Sequence, residues 1–132
     1  MRQLGVALFL FLTSLLSFSQ DSPQYRACNE KAKVQAEMND CAGQEAARVD
    51  ARLNEIYKQL LSKAASDPNE VAKIKAAERA WIAYRDAYIE AMFPATDKQA
   101  EYGSMYPMDV ALLSAKLTQQ HIADVQELLK QY

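Results

Sequence analysis

From Asn39 onward, apolar or small residues recur at Ala42, Ala46, Val49, Leu53, Ile56, Tyr57, Leu60, Leu61 and Ala64, in steps of three and four. A helix of about 3.6 residues per turn brings those positions to one side, so the chain must contain a long amphipathic helix and something for it to pack against. Asn39 is placed to cap it by accepting from a free backbone N–H, and Asp40 adds negative charge near the positive end of the dipole. The preceding stretch, Cys28 to Met38, is weakly periodic but rich in helix formers and reads as helical.

The next punctuation is Ser66-Asp67-Pro68-Asn69-Glu70. Asp67 can cap, Pro68 suits a first helical position, and Glu70 stands three residues after the cap, as a capping box requires. A second helix follows, with Val71, Ile74, Ala77, Trp81, Tyr84, Tyr88 and Met92 at helical spacing and Pro94 as its stop. So short a connection predicts an antiparallel hairpin. Between Phe93 and Met108 the periodicity lapses, and Pro94, Gly103 and Pro107 collect beside Tyr102, Met105 and Tyr106, the pattern of an unusually apolar loop. Asp109 can then cap a third helix through Val110, Leu113, Leu117, His121 or Gln120, Val125 and Leu128. No strand-like alternation competes. The expected fold class is all-α, with the hairpin and a C-terminal helix forming a small three-to-four-helix bundle.

The first residues belong to a different pattern. Arg2 precedes an uncharged, mostly apolar run from Leu4 to Leu16, and Ser17-Phe18-Ser19 then supplies small residues at the two key positions of a cleavage site. The run is short of the roughly 20 residues a membrane span needs. This predicts a signal peptide over 1–19, a single helical domain over 20–132, and a mature protein that is periplasmic or secreted without stable membrane insertion. Once Arg2 is lost, 14 basic residues face 17 acidic ones, a net charge of −3. That argues against a nucleic-acid face and favours encounter with basic proteins. Cys28 and Cys41 both lie in the exported portion, where disulfides persist, so they are expected to pair.

The chain is poor in chemistry. Nucleophilic or acid–base catalysis needs a serine or cysteine beside a base, or carboxylates held together with displaced pKa values. His121 is the only histidine, and no Cys-x-x-Cys pair or phosphate loop is present, so no metal, cofactor or enzymatic activity is expected. Two sets stand out. Trp81 and Arg85 on the second helix face Asp50 and Asn54 on the first, which suggests a structural role: Trp81 anchors the core and Arg85 reaches a carboxylate or amide across the hairpin. The second set is Tyr102, Ser104, Met105 and Tyr106, where tyrosines on a constrained loop are typical protein-contact residues. Packing over the open end of the helices is the competing reading of those tyrosines.

Four segments in order, Glu37-Met38-Asn39-Asp40-Cys41-Ala42, Asp50-Ala51-Arg52-Leu53-Asn54-Glu55-Ile56-Tyr57, Glu78-Arg79-Ala80-Trp81-Ile82-Ala83-Tyr84-Arg85-Asp86, and Gly103-Ser104 before a helix with Leu117-Thr118, resemble the lysozyme inhibitor LprI-like N-terminal domain family. The resemblance covers almost all of the mature chain. It implies a helical domain that inhibits lysozyme in the cell envelope; for such an inhibitor, the hydroxyls of Tyr102, Ser104 and Tyr106 and the apolar area of Met105 make that loop the expected element to occlude the enzyme's cleft. An adaptor or immunity protein that binds another envelope protein or toxin is the alternative. The chain also departs from many relatives. Ala87-Tyr88 and Leu112-Leu113 occupy regions where those carry further cysteines, and His121 stands where arginine is common. The missing second bridge predicts a freer segment between Phe93 and Met108.

Overall fold

The computed structural model describes residues 21–132; the segment read as a signal peptide lies outside them. Its helices are α1 (Pro23–Lys31), α2 (Gln35–Lys63), α3 (Pro68–Met92), α4 (Lys98–Tyr102) and α5 (Tyr106–Leu129), with a single 3-10 turn at Gly103–Met105. Among the described residues there is no strand, and the all-α fold is the one the spacing predicts.

Local chemistry explains most helix ends and corrects some expectations. Ser22 caps α1 through a bond from the Tyr25 N–H, and Pro23 opens the helix. After a break at Ala32–Val34, α2 begins at Gln35, so Asn39 is not its cap. Its amide instead lies inside the helix, accepting from Gln35 Nε2 at 2.9 Å and donating to the Ser104 carbonyl at 3.0 Å. The start of α2 has no side-chain cap on Val34, and Glu37 takes the Lys33 N–H. Asp67 caps α3 as expected, accepting from the Asn69 and Glu70 N–H groups. The box is only half formed, because the Glu70 carboxylate accepts from the Tyr132 hydroxyl. Asp109 is not a cap either. With α5 starting at Tyr106, it lies within the first turn, where it complements the dipole.

The backbones of α2 and α5 approach most closely, and the two helices run parallel. Gln35 meets Met108 near their starts, whereas Leu60 and Val125 share a cluster near their ends. α3 returns antiparallel to both, placing Arg85 near Asp50 and Glu70 near Tyr132. The core is Leu53, Ile56, Leu60, Ile122 and Val125, with Ile74 and Trp81 of α3 packed on its edge. A smaller cluster of Tyr25, Cys41 and Ala42 sits under α1, next to Met108, Ala111 and Leu112. There the Cys28–Cys41 disulfide, with Cα atoms 5.7 Å apart, fastens α1 to α2. A cross-link over a loop of this size is worth about 3 kcal/mol. No described helix is long and apolar enough to cross a membrane.

Candidate partner-binding site

The segment expected to be a loop is mostly helical. Asp97 caps α4 by accepting from the Ala100 N–H at 2.9 Å. Gly103 ends that helix at φ 67°, the left-handed region that an L side chain rarely adopts, and thereby turns the chain toward α5. Ser104 and Met105 form the exposed outside of the resulting corner, with Met105 49% exposed.

The tyrosines face the other way. Tyr102 and Tyr106 are half-buried and stack on each other at 5.7 Å, and the edge of Phe93 meets each ring at 5.3 Å. The Tyr102 hydroxyl accepts from the Ala95 N–H, closing the passage from α3 into α4. Lys98 Nζ pairs with Glu90 at 2.9 Å and also donates to the Phe93 carbonyl. The hydrogen bond to Glu90 raises the Lys98 pKa, opposed by burial. With the Asn39 bond to Ser104 from α2, these contacts brace the corner from two sides. An aromatic cluster and these polar contacts therefore hold the segment, and the freedom expected of it is not what its contacts describe. Of the four candidate contact residues, Ser104 and Met105 are presented outward, while Tyr102 and Tyr106 pack over the helix ends.

The structural set gathers where α2, α3 and α5 meet. Arg85 Nη1 lies 3.7 Å from Asp50 Oδ1, its other nitrogen is 3.0 Å from Asp86, and its guanidinium sits 5.2 Å from the Trp81 ring centre. Thr118, fully buried on α5, donates to the same Asp50 oxygen at 3.3 Å. Asn54 is exposed and stands outside this array. Two further members were not foreseen. His121 stacks on Trp81 at 4.0 Å with the rings 6° from parallel, and its Nε2 meets Glu78 at 2.8 Å. The spacing Ile74, Glu78, Trp81, Arg85 places Glu78 on the inward stripe of α3, which was the available signal.

The polar partners of His121 are Glu78 and Asp124, and no hydroxyl or thiol among the described residues hydrogen-bonds its ring. No described group of His, Cys, Asp and Glu could hold a metal ion. The array's contacts tie α3 to α2 and α5.

A family model described as lysozyme inhibitor LprI matches residues 28–125, most of the chain. An uncharacterized protein of Rhizobium meliloti (strain 1021) is 33% identical over 137 aligned residues, which cover 96% of this chain and 93% of that relative. No solved structure matches.

Proposed function

Since the chain belongs to the lysozyme inhibitor LprI family, we propose that it is an exported, non-catalytic protein that binds a lysozyme in the periplasm or outside the cell and blocks its active-site cleft. Residues 1–19 serve as the signal peptide, and the mature part forms one domain. The observation that carries the mode of binding is the braced corner at Gly103–Met105. A lysozyme cleft is lined by a pair of carboxyl groups flanking the scissile bond. The exposed Ser104 hydroxyl is a donor for such a cleft, and Met105 adds adaptable apolar area. Because Phe93, Tyr102, Tyr106 and Asn39 already hold the corner, little ordering entropy is lost on docking. In this reading Tyr102 and Tyr106 act as supports behind the contact. Asp97 and Glu101, both exposed on or beside α4, favour approach to a basic enzyme.

Lysis of peptidoglycan by a basic lysozyme, followed by turbidity with the oxidised mature protein titrated in, tests this. Dose-dependent inhibition is expected, together with loss of at least about tenfold in potency for Ser104→Arg/Met105→Asp, a burden typical of a contact hot spot. Inhibition that survives that change unaltered removes the corner as the contact. An inert wild-type protein at micromolar concentration removes the lysozyme.

A further inference from the structure

Where α3 leans away from α2, the two helices leave a groove of about 370 Å³. Tyr57 and Leu61 line it from α2, and Lys75, Arg79 and Ile82 from α3. Ile82 is 40% exposed although it is a large aliphatic. Lys75 and Arg79 make no ion pair among the described residues, and neither the Tyr57 hydroxyl nor the Asn54 amide at the rim has a hydrogen-bond partner there. The one carboxylate of the groove, Glu78, is already bonded to His121. Burial, and then the nearby Glu78 charge, raise the Tyr57 pKa against the opposing pull of Arg79, so the phenol remains a neutral donor.

We propose that this groove binds a short acidic and apolar segment of a partner protein, its carboxylate held by Arg79 and Lys75 and its apolar side chain seated on Leu61 and Ile82. Charge complementarity selects the occupant. The free polar groups are two cations, a phenol and an amide, so a ligand must bring negative charge and acceptors. An arginine fork reads a carboxylate through two parallel hydrogen bonds. The branched aliphatic floor grips an apolar side chain. The volume lies near the low end of ligand pockets, about 300–1,000 Å³, so the groove takes a few side chains and not a whole helix. This site is separate from the corner. Tyr57 lies 18 residues beyond Asn39, which is about 27 Å along α2, and the groove does not depend on the lysozyme reading.

The test titrates the oxidised protein into a fluorescein-labelled peptide of alternating glutamate and leucine, with a lysine and leucine peptide as control. The acidic peptide is expected to bind with an affinity that weakens as salt is added. Lys75→Glu/Arg79→Glu should reduce it at least about tenfold, whereas Lys31→Glu/Lys33→Glu, the same change of net charge on α1 and the break after it, should leave it within about twofold. Backbone amide shifts should concentrate in residues 54–61 and 75–82, and lysozyme inhibition should be unchanged in the groove variant. Four results overturn the proposal: no binding of the acidic peptide at millimolar concentration, equal binding of the lysine peptide, equal losses in the two charge-reversal variants, or preference for a muramyl peptide glycan fragment over the acidic peptide.

Discussion

Toward α5, α2 presents Leu53, Ile56 and Leu60 to Ile122 and Val125, all buried, in a seam whose helices approach closely along their length. Toward α3 it presents Asp50, which meets Arg85, and then Asn54, Tyr57 and Leu61, which share an open groove with Arg79, Lys75 and Ile82. α3 has 25 residues, yet none is buried. It is attached at points, through Ile74 and Trp81 on the core edge, Glu78 to His121, and Arg85 to Asp50. A dry seam gains free energy with every apolar area removed from water. Half-exposed ionic links, such as the one to Asp50 with its side chain 47% exposed, contribute under about 1 kcal/mol each. The two sides of α2 therefore differ in purpose. One makes the fold, and the other leaves a polar groove open.

The largest expected effect lies in the seam. Leu60 is 1% exposed at the centre of the core, so Leu60→Ala should lower unfolding free energy by about 3–5 kcal/mol, the transfer loss plus the cavity left behind. Urea denaturation followed by circular dichroism measures it. A cost below about 1 kcal/mol would mean that α5 can close over the gap, and the seam would be no more rigid than the groove.

The same contrast explains what could be read in the sequence. α2, α3 and α5 announce themselves because apolar spacing is a local signal, and Asp67-Pro68 marks one boundary in both side-chain chemistry and backbone geometry. Pairing is not local. Spacing shows that a helix has an apolar face but not which helix covers it, so the hairpin of α2 and α3 was foreseen in direction while the closer, parallel packing of α5 on α2 was not. α4 carries a good cap in Asp97, but its five residues are too few to show a period. Asn39 looked like a cap because the residue type suits one. Its amide is drawn instead to Ser104, 65 positions away, a contact that nothing in its neighbourhood encodes. For the corner, the sequence grouped Tyr102, Ser104, Met105 and Tyr106 in one segment but could not divide the outward Ser104 and Met105 from the packed Tyr102 and Tyr106.

A second, smaller effect sharpens the comparison on the α1 side of α2, where a polar link is buried. Glu45 is 4% exposed and accepts from the Ser22 hydroxyl at 2.6 Å, the Ser22 N–H at 3.3 Å and Arg48 at 2.6 Å. Burial by itself raises its pKa, but the hydrogen bonds from the Ser22 hydroxyl and Arg48, with the Ser22 N–H and the Arg48 charge, together bring it below the ordinary value of 4.5. A lowered folded pKa means that the folded state favours the carboxylate. The linked stability is fully present above the unfolded value and disappears as pH falls through the folded one. Melting temperature plotted against pH should therefore drop below pH 4.5 more steeply for the wild type than for Glu45→Gln, which lacks the titration and should be less stable at neutral pH. Parallel curves would show that Ser22 leaves Glu45 in solution, so that the link is no stronger than the exposed ones beside α3.

The smallest expected effect is the sharpest test of the open side. Ile82 has a side chain like those in the core, and in a closed hairpin its truncation would cost as much as one of theirs. At 40% exposed it should instead lose little, within about 0.5 kcal/mol for Ile82→Ala, because it lies at the surface of an open groove and its truncation leaves no enclosed cavity. Alanine also has a higher helix propensity than isoleucine, which offsets part of the lost contact. A measured loss near 2 kcal/mol would mean that α3 closes onto Tyr57 and Leu61 in solution, and the groove would then be a side of the core. A near-zero loss keeps the aliphatic surface of Ile82 available to something other than the fold.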